Sequence, residues 1–518
     1  MTGPDVGWPP RRAPGILGPT TGAPGILCAV PRTLIEIDRS SPEPLYRQVR
    51  RAIEHGIASG VFDVHHRLPS SRELAIELAV SRNTINLAYQ ELIAEGFVRS
   101  HERSGMFVNP EMLEAAAAET VDTVPRIDWQ SRIRRQPDAD IPEIEKTSDW
   151  YQYPYPFLAG QIDIRSFPAR SWNRCLRDAL FQPHAYPSLQ DSVAADDPML
   201  IDMIRQQILP PRGIEAGPDE ILVTVGSQQG LDLVGRALLG PGQRVAVENP
   251  GYLDARHIFV RTGATVYGID VDADGLRPPD TLAGTHLIHC TPSHHHPTNA
   301  TLGIERRRRL LALAAESGTV VVEDDYDSEF RYHGSPSPSL KSLDTSGDAI
   351  YLGTFSKFLA PGLRLGYLVG PADLVRELRH VRRYVLRHPP GHTQRALALL
   401  IDSGNYHRAL RQHRTKMKRK WERLVAAVHK YLPFATGPFA PGGVSLWVEG
   451  PDALDCRELL RAAQSRGVLI ERGDIFYMQD NPPRNMIRIG YGAIGLNSIE
   501  PGIALLGQAC AEVLSSKR

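Results

Sequence analysis

The chain has 518 residues, 42% hydrophobic and 23% charged, and its 59 basic and 59 acidic side chains cancel. This composition excludes a largely disordered, collagen-like or coiled-coil protein, and the neutral balance excludes a globally basic nucleic-acid coat while leaving room for a local basic patch. At roughly 150 residues per domain the length allows about three domains; no apolar run approaches the ~18–20 residues that span a bilayer, and five scattered cysteines without a C-x-x-C point to a reduced, cytoplasmic protein rather than a disulfide framework.

Residues 1–40 are rich in Pro and Gly, and Ala13-Pro14-Gly15-Ile16-Leu17 recurs as Ala23-Pro24-Gly25-Ile26-Leu27. Pro and Gly interrupt any secretory apolar core, so a disordered N-terminal extension is expected. From Pro44, the residues Leu45, Val49, Ile53 and Ile57 recur every fourth position and predict an amphipathic helix that Gly60 ends. Ser70 and Glu73 form a capping box for a second helix through Leu74, Ala75 and Leu78. Ser81 caps a third helix in which Ile85, Leu92 and Ile93 face inward, with Gly96 as its stop. Phe97-Val98-Arg99 and Met106-Phe107-Val108 then read as two short strands around Gly105. Helix, helix–turn–helix and β-wing, over residues 41–109, is the order of a winged helix-turn-helix.

The third helix presents Arg82, Asn83, Asn86, Tyr89 and Gln90 on polar positions. Arg pairs with guanine edges and Asn or Gln with adenine edges in the major groove. Ser71 and Thr84 hydroxyls and the helix N-termini suit phosphates, and the wing offers Arg99, Arg103 and Gly105. Residues 41–110 hold eight Arg and eight Asp or Glu, so affinity rests on charge placement rather than excess. Residues 110–153 read as a tether broken by Pro125, Pro137 and Pro142, with a brief helix around 111–119.

From residue 154 to 518 strands and helices alternate. Strand-like runs are Ile221–Val225, Val245–Val247, Leu287–His289, Val320–Val322, Ile350–Leu352 and Tyr367–Val369, and helical runs include Gln228–Leu239 and Glu305–Glu316. Such alternation predicts a mainly parallel sheet covered by helices, with ligands at the carboxyl ends of the strands. The residues just past those strands are Gly226-Ser227-Gln228-Gln229, Asn249-Pro250-Gly251-Tyr252, Glu323-Asp324-Asp325-Tyr326-Asp327 and Gly353-Thr354-Phe355-Ser356-Lys357. A phosphate cradle, an aromatic plate, a buried acid and a lysine are what a pyridoxal phosphate site needs. The adjacent His294, His295 and His296 cannot easily converge on one ion, so no metal site is expected. Arg306 to Arg309 read as a solvated helix face, and Cys175 and Cys290 as buried apolar fillers.

Two motif sets carry a family resemblance. Pro44-Leu45-Tyr46, Leu68-Pro69-Ser70-Ser71-Arg72, Val80-Ser81-Arg82-Asn83-Thr84, Ala88-Tyr89 and Gly105-Met106-Phe107-Val108 resemble the GntR-type DNA-binding domain, in which the arginines matching Arg72 and Arg82 contact DNA. The sequence departs from that pattern at His65-His66 and at the acidic Glu102 of the wing. Ser356-Lys357, followed by Ala360-Pro361-Gly362-Leu363-Arg364-Leu365-Gly366-Tyr367, resembles the fold-type I aminotransferases. That resemblance implies that Lys357 carries pyridoxal 5'-phosphate, that Asp324 pairs with the pyridine nitrogen, and that Tyr326 meets the ring hydroxyl. Asp325 is the alternative pyridine partner. It further implies that Tyr252 stacks on the ring, that Ser227, Gln228, Thr354, Ser356 and Arg364 hold the phosphate, and that Arg488 grips a substrate carboxylate. Asp254 stands where some relatives carry an Arg, with Arg256 two residues on, so carboxylate recognition is expected to differ.

The fusion as a whole resembles the MocR/GabR family. The implied fold is α/β, a winged helix-turn-helix before an aminotransferase-like domain whose smaller subdomain starts at about residue 400. The implied function is a bacterial, pyridoxal phosphate-dependent regulator that binds double-stranded operator DNA. It would sense an amine, an amino acid or the cofactor itself through a lysine aldimine, as a head-to-tail homodimer. The alternative is an active aminotransferase with a fused winged helix.

Overall fold

The computed structural model describes residues 35–62, 64, 67–101, 105–111, 127–145, 147–332 and 337–516. Most of the expected N-terminal extension with Cys28, the pair His65-His66, the wing residues Glu102, Arg103 and Ser104, and most of the expected 111–119 helix lie outside the described residues. The chain divides into two compact units, Met1–Ile133 and Arg134–Arg518.

In the first unit α1 is Leu45–Ala58, α2 is Ser71–Glu77 and α3 is Arg82–Ala94, followed by β1 (Val98–His101) and β2 (Gly105–Val108), which pair antiparallel. The caps are those the sequence specifies. Ser70 Oγ accepts from Glu73 N at 3.2 Å while the Glu73 carboxylate accepts from Ser70 N at 2.8 Å. Ser81 Oγ accepts from Thr84 N at 3.1 Å. Each bond satisfies an N-terminal amide that the helix leaves without a partner. Val49, Ile53 and Ile57 of α1 pack with Ile85, Ala88 and Leu92 of α3. Ile93, expected inside, is 37% exposed, because it lies one position off the buried stripe of α3.

In the second unit the strands are β3 (Tyr155–Pro156), β4 (Ile221–Thr224), β5 (Arg244–Asn249), β6 (Thr265–Asp272), β7 (Gly275–Leu276), β8 (Leu287–Cys290), β9 (Val320–Asp325), β10 (Ala349–Thr354), β11 (Gly366–Val369), β12 (Ser445–Glu449), β13 (Val468–Leu469), β14 (Glu471–Arg472) and β15 (Met486–Gly490). Among the described residues β4-β11-β10-β9-β8-β5-β6-β7 form an eight-stranded sheet. From β10 through β6 neighbours run parallel, whereas β11 is antiparallel to both of its neighbours. Alternate residues serve opposite faces, as a two-residue strand period requires. Val245, Val247, Val322 and Ile350 pack under the helices Ser227–Leu238 and Leu253–Arg261. Ala246, Val321 and Ala349 pack instead with Leu310 and Ala314 of the helix Ile304–Ser317. Covering both faces explains the near-continuous apolar runs. A smaller antiparallel sheet, β12-β15-β14, carries the C-terminal helices Cys456–Gln464 and Ile499–Ser515.

Four further sequence-derived expectations change in the second unit. Strand β6 has no counterpart among the strand-like runs, since its exposed positions and Gly268 dilute the apolar signal. Glu323, Asp324 and Asp325 lie inside β9 rather than after it. Arg307 of the expected solvated face is fully buried: it donates to the carbonyls of Leu302, Pro292 and Pro338 and faces Glu323 at 3.6 Å. Finally, residues 134–145, expected within the free tether, pack as part of the second unit. Asp138 is buried and accepts from Arg261 Nε at 2.7 Å, with His257 Nδ1 also at 2.7 Å. Ile141 and Ile144 lie against Leu253, Ile475 and Phe476.

Candidate functional site

The carboxyl ends of the strands open on a cavity of about 190 Å³. Its walls include Ser227, Gln228, Tyr252, Asp324, Tyr326, Thr354, Ser356, Lys357, Arg364 and Arg488, the ten residues expected in a cofactor and substrate site. Ile144, Gly160, Gln161, Asp254, His296 and Glu471 complete much of the lining.

One end of the cavity is built for an anion. After β4 the backbone turns through Gly226, at φ +81°, into the helix Ser227–Leu238. A Cβ on Gly226 would stand 2.9 Å from Arg364 Nη2, so the missing side chain lets the guanidinium lie at the helix N-terminus. Arg364 also donates to the Val225 carbonyl at 3.0 Å. Helix amides, a cation and hydroxyls in one corner form an anion site. Thr354 Oγ1 accepts from Ser356 N at 3.1 Å, which shapes the turn after β10, and Ser356 Oγ is buried without a hydrogen-bond partner among the described residues.

The strand period separates the two consecutive acids. Asp325 turns away from the cavity, where its Oδ2 lies 2.7 Å from Arg212 Nε and accepts from the Tyr351 hydroxyl at 2.7 Å. Asp324 lines the cavity; its Oδ2 is 3.9 Å from His289 Nε2, and its Oδ1 is buried with no hydrogen-bond partner among the described residues. Asp325, the alternative pyridine partner, is thus engaged in its own ion pair and is not among the residues that line the cavity. The Tyr326 hydroxyl is likewise buried and unpartnered, and burial raises its pKa well above the ordinary range.

Lys357 Nζ lies 5.5 Å from the centroid of the Tyr326 ring. Burial, with the Arg488 charge adding to it, pushes the Lys357 pKa down. Tyr252 sits edge-on to the His296 ring at 5.1 Å, and its hydroxyl donates to Asp254 at 3.1 Å. The three consecutive histidines diverge. His294 Nδ1 meets Asp327 at 2.8 Å, His295 Nδ1 meets Thr298 at 2.7 Å, and His296 Nε2 meets Arg488 Nη1 at 2.8 Å. Among the described residues no group of His, Cys, Asp or Glu is arranged to hold a metal ion. Sequence reasoning does not single out Glu471 as a site residue. Glu471 reaches the cavity only because it stands directly opposite Arg488 across β14 and β15, a pairing without a local signal.

In the first unit Arg72, Arg82 and Asn83 are exposed, while Ser71, Thr84 and Asn86 are half-buried. Arg82 Nε donates to Ser71 Oγ at 3.4 Å, which draws the starts of α2 and α3 together. Gly105 has φ +111°, and a Cβ there would strike Arg67 Nε at 2.4 Å. Tyr89, expected on the reading face, is instead a core residue: it is 1% exposed and its hydroxyl donates to the Pro69 carbonyl at 2.6 Å. Arg103 lies outside the described residues.

Two family models match the chain, "Bacterial regulatory proteins, gntR family" over residues 45–108 and "Aminotransferase class I and II" over residues 198–497. The chain is 40% identical to the HTH-type transcriptional regulator TauR of Rhodobacter capsulatus, over 90% of this chain and 96% of that protein. It is 31% identical to the probable rhizopine catabolism regulatory protein MocR of Rhizobium meliloti, over 93% of this chain and 97% of that one. Its fold is similar to that of Pyrococcus horikoshii kynurenine aminotransferase in complex with PMP, with a TM-score of 0.66 and 27% identity over 74% of this chain and 98% of that one.

Proposed function

Because the chain belongs to the MocR-type HTH transcriptional regulators, in which a GntR-type winged helix precedes an aminotransferase class I and II domain, we propose that it holds pyridoxal phosphate at Lys357 and adjusts its grip on an operator when an amine or amino acid reaches that site. The observation that carries this reading is the set of four buried polar atoms without a hydrogen-bond partner among the described residues, His296 Nδ1, Asp324 Oδ1, the Tyr326 hydroxyl and Ser356 Oγ, on residues that line the lysine cavity. Buried polar groups are ordinarily hydrogen-bonded, so four such atoms on one cavity's lining support a polar ligand there.

The residues fit that cofactor. When bound, pyridoxal phosphate supplies an aldehyde that takes up amines and a ring that withdraws electrons. Asp324 would accept the pyridine N–H, and the Tyr326 hydroxyl would meet the ring oxygen. Ser227, Gln228, Thr354, Ser356 and Arg364 would hold the phosphate at the helix N-terminus. Tyr252 would cover the ring. The lowered pKa of Lys357 keeps more of its amine neutral, which is the nucleophilic form.

DNA recognition is assigned to Arg72, Arg82, Asn83 and Asn86 for bases and phosphates, with Ser71, Thr84 and the wing residues Arg103 and Gly105 positioning the backbone. A head-to-tail homodimer acting in the cytoplasm would present two winged helices, and an effector changes operator affinity only by binding two domain arrangements unequally. Borohydride reduction followed by peptide mass spectrometry tests the cofactor assignment. A pyridoxyl adduct on Lys357 is expected; an adduct on another lysine, or none, removes it. Selection of genomic fragments at physiological salt tests the DNA assignment, and only diffuse, salt-sensitive binding would shift the function to transamination.

A further inference from the structure

Arg488 lines the cavity where a carboxylate would enter, yet two of its three nitrogens are already engaged. Its Nε donates to Ser445 Oγ at 3.0 Å. Its Nη1 donates to His296 Nε2 at 2.8 Å and to Glu471 Oε2 at 3.3 Å. A guanidinium holds a carboxylate in bidentate fashion through two donors on one edge, Nε with Nη2 or Nη1 with Nη2. Each of those edges has lost one of its two members to the protein.

The charge is spoken for as well. Glu471 and Arg488 face each other across β14 and β15, and both are buried, at 8% and 4% exposure. The second carboxylate oxygen of Glu471 accepts from Ala159 N at 3.1 Å, so the acid is pinned from both sides. A carboxylate entering beside this pair would find no net positive charge and would sit against Glu471. Burying a charge without a partner is costly. We propose that Glu471 is a specificity-determining residue that closes Arg488 to α-carboxylates, so that the effector is a primary amine bearing no carboxylate on the carbon that carries its nitrogen.

This inference rests on the effector reading above, and two arms separate the failure of one from the failure of the other. In the first, the full chain without added cofactor is titrated with propionate by calorimetry. Glu471→Gln, which keeps an oxygen for Ala159 N–H but removes the negative charge, is expected to bind propionate about tenfold more tightly than the unaltered chain. In the second, the pyridoxal phosphate-loaded chain is titrated with propylamine and with 2-aminobutyrate, which differ by one carboxylate, and the visible spectrum is followed. The unaltered chain is expected to favour propylamine, and Glu471→Gln to move the ratio towards 2-aminobutyrate by about tenfold. Glu471→Asp withdraws the carboxylate from Arg488 and is expected to move both readouts in the same direction, which covers a Gln variant that folds poorly. Equal response to the two amines in the unaltered chain, or a ratio unmoved in both variants, overturns the proposal. Should Lys357 yield no pyridoxyl adduct, the effector reading fails, and the propionate arm alone decides: equal affinity in the unaltered chain and the variants overturns the assignment of Glu471.

Discussion

The Tyr89 hydroxyl donates to the Pro69 carbonyl at 2.6 Å, a bond that ties the middle of α3 to the turn before α2. It sets the angle between the two helices of the helix–turn–helix from inside the core. Tyr89→Phe keeps the ring and removes the bond, so it is expected to destabilise the winged helix by about 1 kcal/mol without changing base preference. Calorimetry and operator selection on the same variant check both halves of that statement.

Arg82 is exposed at the start of α3, where its Nε donates to Ser71 Oγ. Arg82→Ala should therefore leave the fold unaltered and cost about 1–3 kcal/mol at one base pair, relaxing specificity there. Binding curves against operators varied one position at a time would detect it, and a uniform loss at every sequence would instead make Arg82 a phosphate contact.

Gly226→Ala places a methyl group 2.9 Å from Arg364 Nη2, on a backbone whose φ of +81° already disfavours a side chain. The guanidinium must move out of the anion corner. Pyridoxal phosphate affinity is expected to fall by about tenfold or more, whereas Lys357→Ala should abolish the visible absorbance of the loaded protein and leave the fold intact. Equilibrium dialysis and absorbance spectra distinguish the two losses.

Burial pushes the pKa of His413 down from 6.5 to about 4, with its ring against Phe330 and Phe358. Between those values the unfolded chain takes up a proton that the folded chain refuses. Stability is therefore complete above pH 6.5, declines as the pH falls towards 4, and loses no more from this group below that. The whole decline from His413 is worth about 3 kcal/mol. His413→Leu should flatten that part of the profile in thermal melts across about pH 4–7, leaving the share due to His295, which burial pushes down to about 3.

Local features were legible in the sequence. The caps Ser70 and Ser81, the periodic Val49, Ile53 and Ile57, and the lysine loop after β10 each announce themselves within a few residues. What escapes such a reading is decided at long range. Four consecutive arginines read as a solvated face because the Pro292 and Pro338 carbonyls and the Glu323 acid that help bury Arg307 come from other parts of the chain. Asp324 and Asp325 are told apart only by the strand period and by Arg212, which assign them to opposite faces. Tyr89 passes for a polar surface residue because its partner, Pro69, lies twenty residues away. Glu471 has no local motif at all, only a register across β14 and β15.

The segment that carries Asp138 and Ile144 has a practical consequence for dissecting the protein. Judged by composition, the large domain begins near residue 154. A fragment started there would lack Ile144 from the cavity wall and would leave His257 and Arg261 without their shared carboxylate. A fragment started at Arg134 keeps both. Truncated forms that begin after Asp138 would therefore give misleading ligand affinities, even when they express and fold.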